Sequence, residues 1–165
     1  MPVKDPKELF MLLLSDARHG ANRASEILQE MAQAAADPDV KEALEARVFI
    51  ENEIIRSLDQ CFKILGEQQR PQAGRLQEIF AEDFRNQLNE IVSPAAKRLF
   101  VLAKASQLMH FRFGEYATLI AAAELSGHPG VSILLESCVA DKAMLTERIR
   151  RMVEHIVDAR LERAA

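Results

Sequence analysis

The stretch Met31-Ala32-Gln33-Ala34-Ala35-Ala36-Asp37-Pro38-Asp39-Val40 decides the fold, because it ends one long helix and opens another across about two residues. Upstream of it, Phe10, Leu13, Ala17, Gly20, Ala24, Ile27, Met31 and Ala34 recur at alternating steps of three and four, which is one face of a helix. Asp5-Pro6-Lys7-Glu8 opens that helix with an N-cap carboxylate, a proline at the first helical position and a glutamate where a capping box wants one. Its end falls near Ala35. Downstream, Asp37-Pro38 repeats the cap-then-proline signal, and Leu44, Val48, Ile55, Leu58, Phe62 and Leu65 carry the rhythm to Gly66, a left-handed terminator. The spacing predicts a second helix over 38–65. So short a link makes the two helices antiparallel neighbours.

Further on, the segment Gly66 to Gly74 is polar and broken by Pro71, and Leu76, Ile79, Phe80, Phe84, Leu88 and Ile91 then predict a shorter third helix. Ser93-Pro94 caps a fourth helix whose expected seam is Leu99, Leu102, Ser106, Met109, Phe113, Tyr116, Ile120 and Ala123, ending before Gly127. His128-Pro129-Gly130 turns the chain into a fifth, with Val131, Leu134, Cys138, Leu145, Met152 and Ile156 inward, to roughly Leu161. The expected class is therefore all-α. Two antiparallel helical hairpins joined by one long crossover, with a short extra helix in it, is the topology of a ferritin-like four-helix bundle. One such domain is expected over 1–165.

Composition agrees with this reading: 165 residues, 48% hydrophobic and 28% charged, describe one folded domain rather than a disordered chain. A net charge of -4, one tyrosine and no tryptophan speak against nucleic acid as a partner. Cys61 and Cys138 have no paired spacing, which points to a reducing compartment and buried thiols. The apolar run Leu9 to Leu14 is too short for a span and has no cleavage signature, so a cytoplasmic protein without membrane contact is expected. Gly-rich phosphate loops, HExxH, GxSxG and paired CxxC are absent, which leaves hydrolase, nucleotide and zinc chemistry without residues.

Four stretches carry a likeness to a known family: Leu14-Ser15-Asp16; Met31-Ala32 through Pro38; Leu58-Asp59-Gln60-Cys61-Phe62 with Leu65-Gly66-Glu67; and His110-Phe111 with Tyr116-Ala117-Thr118-Leu119. From Phe10 to about Met152 the chain resembles the YciF/YciE-type ferritin-like family of bacterial stress-associated proteins. The resemblance implies a di-metal carboxylate centre, with a Glu from each of two helices and Glu-x-x-His from each of the other two. This chain departs from that set. At the implied positions it has Ala21 in helix one, Ile50 beside Glu51 and Glu53 in helix two, Met109 and Arg112 in helix four, and Asp141 and Lys142 in helix five. No Glu-x-x-His occurs anywhere.

The expectation is thus a bundle without catalytic residues, cofactor or metal, in which Arg47, Arg112 or Lys142 replaces the lost cationic charge near Glu51, Glu115 and Asp141. Such a protein would be a non-enzymatic, stress-associated one acting by binding or assembly. The alternative keeps iron or manganese on Glu51, His110 and Asp141, as a ferritin-like oxidase or peroxide scavenger. A third reading docks an anionic or protein partner on Arg148, Arg150, Arg151, Arg160 and Arg163, although Glu147, Glu154, Asp158 and Glu162 interrupt that run. Leu12, Val101, Leu108, Leu119 and Leu135 fall off the seams and suggest a homodimer face, with room for a further, unidentified protein partner. His19, His128 and His155 have no convergent partners, and Met31, Met109 and Met152 read as core.

Overall fold

A computed structural model of the chain describes residues 3–71 and 75–164, with side chains described except at 145 and 157–164. Five helices follow the expected signals: α1 (Pro6–Ala34), α2 (Pro38–Leu65), α3 (Arg75–Glu90), α4 (Pro94–Leu125) and α5 (Pro129–Ala164). Among the described residues there is no strand. The caps are the residues the sequence offers. Asp5 accepts from the Glu8 amide at 2.8 Å, and Asp37 accepts from the Asp39 and Val40 amides at 3.0 and 3.1 Å. Ser93 accepts from the Ala96 amide at 3.4 Å. Gly66, at φ 66°, lets the Glu67 amide donate back to the Phe62 carbonyl, so α2 stops where predicted.

α1 packs on α2 and α4, and α5 packs on α2 and α4, closing a four-helix ring. Cross-links give the directions. Arg18 meets Asp59 and Ser25 meets Asn52, so α1 and α2 are antiparallel. Thr146 with Met109 and Ser132 with Glu124 make α4 and α5 antiparallel, and Lys142 with Glu51 and Arg148 with Glu42 do the same for α2 and α5. α2 and α4 therefore run the same way, and the chain between them must return along the bundle. It does so over α1: Gln69 and the Arg70 amide donate to Ser15, and α3 then lies in the α1/α4 groove. There the Arg85 guanidinium grips Glu30 by two bonds of 2.8 and 2.7 Å. Lys104 reaches Asp83 at 2.7 Å between the rings of Phe80 and Phe100.

Helix faces differ from expectation in three places. In α4 the inward arc is Val101, Leu102, Lys104, Ala105, Leu108, Met109, Arg112, Tyr116 and Leu119, while Leu99, Ser106, Phe113 and Ile120 are only half-buried. Arg112 and Lys104 are charged residues on the core side, so an apolar count centres the face too far round. Val101, Leu108, Leu119 and, in α5, Leu135 are buried core residues, which leaves Leu12 as the one exposed member of the expected dimer face. In α3, Leu76 and Ile79 are 54% and 59% exposed, and Gln77 and Ala81 turn inward beside the expected Phe84. Ile91 lies just past the end of that helix. The expected inward Leu145 and the basic Arg160 and Arg163 fall outside the described side chains.

The apolar interior is in two halves. One gathers Phe10, Leu14, Leu58, Cys61, Tyr116 and Cys138; the other gathers Ile27, Met31, Leu44, Leu102, Met109 and Ile149. Between them, on every long helix, the sequence places something other than a large hydrophobe: Gly20 on α1, Glu51 on α2, Arg112 on α4 and Lys142 on α5. No helix among the described residues is long and apolar enough to cross a membrane.

Candidate functional site, a buried charged layer

Glu51 is fully buried and is gripped from three sides. Arg47, one turn earlier on α2, donates through Nη2 to Oε2 at 3.0 Å. Lys142 Nζ lies 3.0 Å from both carboxylate oxygens, crossing from α5. Arg112 Nε, from α4, stands 3.3 Å from Oε1, close enough for an ion pair although not aligned for a hydrogen bond. The same guanidinium donates through Nη2 to the Ala17 carbonyl at 3.1 Å and faces the Glu115 carboxylate at 3.1 Å. The Lys142 ammonium also sits over the Tyr116 ring, 4.8 Å from its centre. Arg47, Arg112 and Lys142 are each about 1% exposed, so the group is sealed from water.

α1 contributes space rather than charge. A Cβ on Gly20 would lie 2.2 Å from Arg112 Nη1 and 3.1 Å from Gln77 Nε2, so the guanidinium occupies the volume a side chain would need. Ala17 and Ala21, also buried, keep the same stretch of helix slim.

Electrostatically the layer is rich in positive charge. Burial by itself would raise the Glu51 carboxyl, but Lys142, Arg112 and Arg47 outweigh it and hold the group below its ordinary value. Burial pushes the Lys142 ammonium down to about 8 against the pull of Glu51, helped by Arg112 and Arg47. Burial raises Glu115, with Arg112 opposing. Arg47 Nε and Nη1 and the Tyr116 hydroxyl are buried without hydrogen-bond partners, so donors outnumber acceptors.

Of the positions implied by the resemblance, Glu51 and not Ile50 faces the centre; Ile50 is half-buried at the edge of the apolar core. Glu53 pairs with Arg56 away from it. Met109 is buried beside Thr146, and Asp141 is half-buried, outside the charged contacts that its neighbour Lys142 makes. His110 is exposed, its Nδ1 2.8 Å from the Ser106 carbonyl. Glu51, His110 and Asp141 are therefore not brought together. Among the described residues no three His, Cys, Asp or Glu side chains converge on a point that could hold a metal. The donor set does not fit a di-metal centre: both oxygens of the one buried carboxylate already serve cations, and a divalent ion would add charge to a layer that has too much.

In the sequence Gly20 and Tyr116 carry no signal beyond their places on the helical seams. The signal for the layer lay in the spacing: Leu44, Arg47, Glu51, Ile54 and Leu58 keep the three-four rhythm with charges in it. Arg112 and Lys142 occupy the same kind of position, between Ala105, Met109 and Tyr116 on α4 and beside Cys138 on α5.

Three solved structures share this fold. The stress protein YciF of E. coli superposes with a TM-score of 0.88 at 19% identity, covering 94% of this chain and 99% of that one. YcfI of Rhodopseudomonas palustris gives 0.85 at 21% identity, over 90% and 94%. A protein of Xanthomonas campestris pv. campestris gives 0.76 at 20% identity, over 97% and 99%. Among curated proteins none matches the chain. Residues 5–162 match a domain of unknown function, DUF892, and the chain belongs to that family.

Proposed function

We propose that this protein is a ferritin-like bundle in which an internal ion cluster stands where a di-metal centre would, and that it serves as a non-enzymatic, stress-associated protein of the cytoplasm. The observation that carries the reading is Glu51, whose carboxylate is met by Arg47, Arg112 and Lys142. The ring of antiparallel hairpins with a lengthwise return between α2 and α4 supports the ferritin-like part. The stress setting leans on the description of the E. coli relative. The protein would then act through its surface, by binding or by self-association; Phe49 on α2 and Met144 on the neighbouring α5, both exposed, are apolar side chains a second copy would cover.

The test is metal content by elemental mass spectrometry on untagged protein grown with iron and manganese and then desalted. Background metal is expected. Stoichiometric iron or manganese would overturn the proposal and make Glu51, Asp141 and His110 the first substitutions. Sedimentation across a concentration series tests self-association, and a monomer throughout removes the dimer.

A further inference from the structure

At the end of the bundle opposite the α4–α5 turn, the α1–α2 link, the start of α4 and the far part of α5 enclose a cleft of about 780 Å³. Its deep wall is apolar: Val40 and Val101 are fully buried, and Leu99 and Ile156 are half-buried beside them. Its rim is basic, with Lys97, Arg98 and His155. Asp37, the one acid there among the described residues, is already committed. One oxygen caps α2 through the Asp39 and Val40 amides, and the other pairs with Arg98 Nη1 at 3.1 Å. Arg98 Nε is buried with no partner. At the mouth Val92 is 90% exposed, an apolar side chain with nothing covering it.

We propose that this cleft binds a medium-chain carboxylate, its hydrocarbon against Leu99, Ile156 and Val92 and its headgroup at Arg98 and Lys97. Apolar depth with a few converging polar groups at one edge is the ordinary build of a small-molecule site. At roughly 30 Å³ per water-sized group, the volume holds an occupant of some twenty-five such groups, which accommodates a ten-carbon acid with part of the cleft left to water. The sign of the rim selects the headgroup: among the described residues a carboxylate finds Lys97 and the Asp37-paired Arg98, with His155 beside them, and no acid that is not already paired, whereas an amine would meet Lys97 and Arg98. This inference is independent of the charged layer and of whether that layer ever holds metal.

The experiment is calorimetric titration of the full chain with decanoate below its micellar concentration, beside 1-decanol. Saturable binding at one site is expected, with decanol at least tenfold weaker. Arg98→Gln should weaken decanoate about tenfold and leave decanol unchanged. Ala95→Trp, at an exposed position on the mouth, should block both ligands while circular dichroism stays native. No binding, equal affinity for acid and alcohol, or undiminished binding to a folded Ala95→Trp variant each overturns the proposal.

Discussion

Replacing Glu51 by Gln keeps its shape and removes the one fully buried anion of the layer. Arg47, Arg112 and Lys142 then face one another with only the half-buried Glu115 to answer Arg112. Breaking a buried ion pair from one side costs ~3–5 kcal/mol, and in a chain of this size ~2–4 °C of melting temperature accompanies each kcal/mol. The midpoint should therefore fall by roughly 6–20 °C at pH 7. The loss should shrink with pH, and the sign follows from Lys142. Its folded value, about 8, lies below the unfolded 10.5, so between those values the unfolded chain holds more of the proton and stability rises with pH. Without Glu51, the group that chiefly holds the Lys142 value up against its burial, the folded value drops further. The rise then starts lower, and the gap to the parent protein narrows between pH 7 and pH 9. Adding Lys142→Met to Glu51→Gln should restore stability at pH 7 and abolish the narrowing. Urea denaturation followed by circular dichroism at both pH values measures all three proteins. A Glu51→Gln loss under about 1 kcal/mol, or a double variant less stable than Glu51→Gln alone, would refute the reasoning.

Three further outcomes are expected. Gly20→Ala should destabilise by ~1–2 kcal/mol, since displacing the Arg112 guanidinium costs more than the ~1 kcal/mol that alanine gains in a helix; the loss should vanish in an Arg112→Met background, and equal losses in both backgrounds would separate Gly20 from Arg112. Cys61 and Cys138 are free and buried, and burial raises both thiols, Cys61 to about 12; Ellman's reagent at pH 8 should find neither in the native protein and both in urea, and rapid native reaction would contradict the packing. A layer without charge (Arg47→Met, Glu51→Leu, Arg112→Leu, Glu115→Gln, Lys142→Met) should keep its helix content and lose at most ~1 kcal/mol, but show broadened or multiple amide NMR resonances; a single sharp spectrum would deny the layer any role in choosing one structure.

The helix boundaries were legible because they are written in local chemistry. Asp-Pro and Ser-Pro fix the starts of α1, α2 and α4, and a glycine at positive φ fixes the end of α2, whatever the rest of the chain does. The face of α1 was legible for the same reason, since Phe10, Ala17, Ala24, Ile27 and Met31 mark it without interruption; on α2 Leu44, Leu58 and Phe62 hold, but the expected Val48 and Ile55 are half-buried and Arg47 and Ile54 take the inward places. The face of α4 was not. Its inward arc carries Lys104 and Arg112, and a reading that sends charge to water must rotate that helix to hide Phe113 and Ile120 instead. The partners that make those charges affordable, Asp83 and Glu51, come from other helices, twenty-one and sixty-one positions away. Arg47 with Glu51 is different: the pair is local, four apart, and sits on the apolar spacing of α2, so the one-residue ambiguity between Ile50 and Glu51 was open to resolution from the sequence.

What the layer does for the fold follows from its position between two apolar halves. A four-helix bundle lined only with Leu, Ile, Met and Ala can slide one helix past another by a turn, about 5.4 Å, and still bury hydrocarbon against hydrocarbon. Here such a slide of α5 would carry Lys142 from Glu51 to the level of Ile54, where it meets only hydrocarbon, or to that of Arg47, where it meets a second cation, and in both cases Glu51 loses its partner from α5. The same holds for α4 through Arg112, whose guanidinium is further keyed to α1 by the Ala17 carbonyl and the gap at Gly20. Each long helix thus has one level at which it fits. Metal ligands would impose that constraint through coordination; Glu51 and its three cations impose it through the cost of parting them.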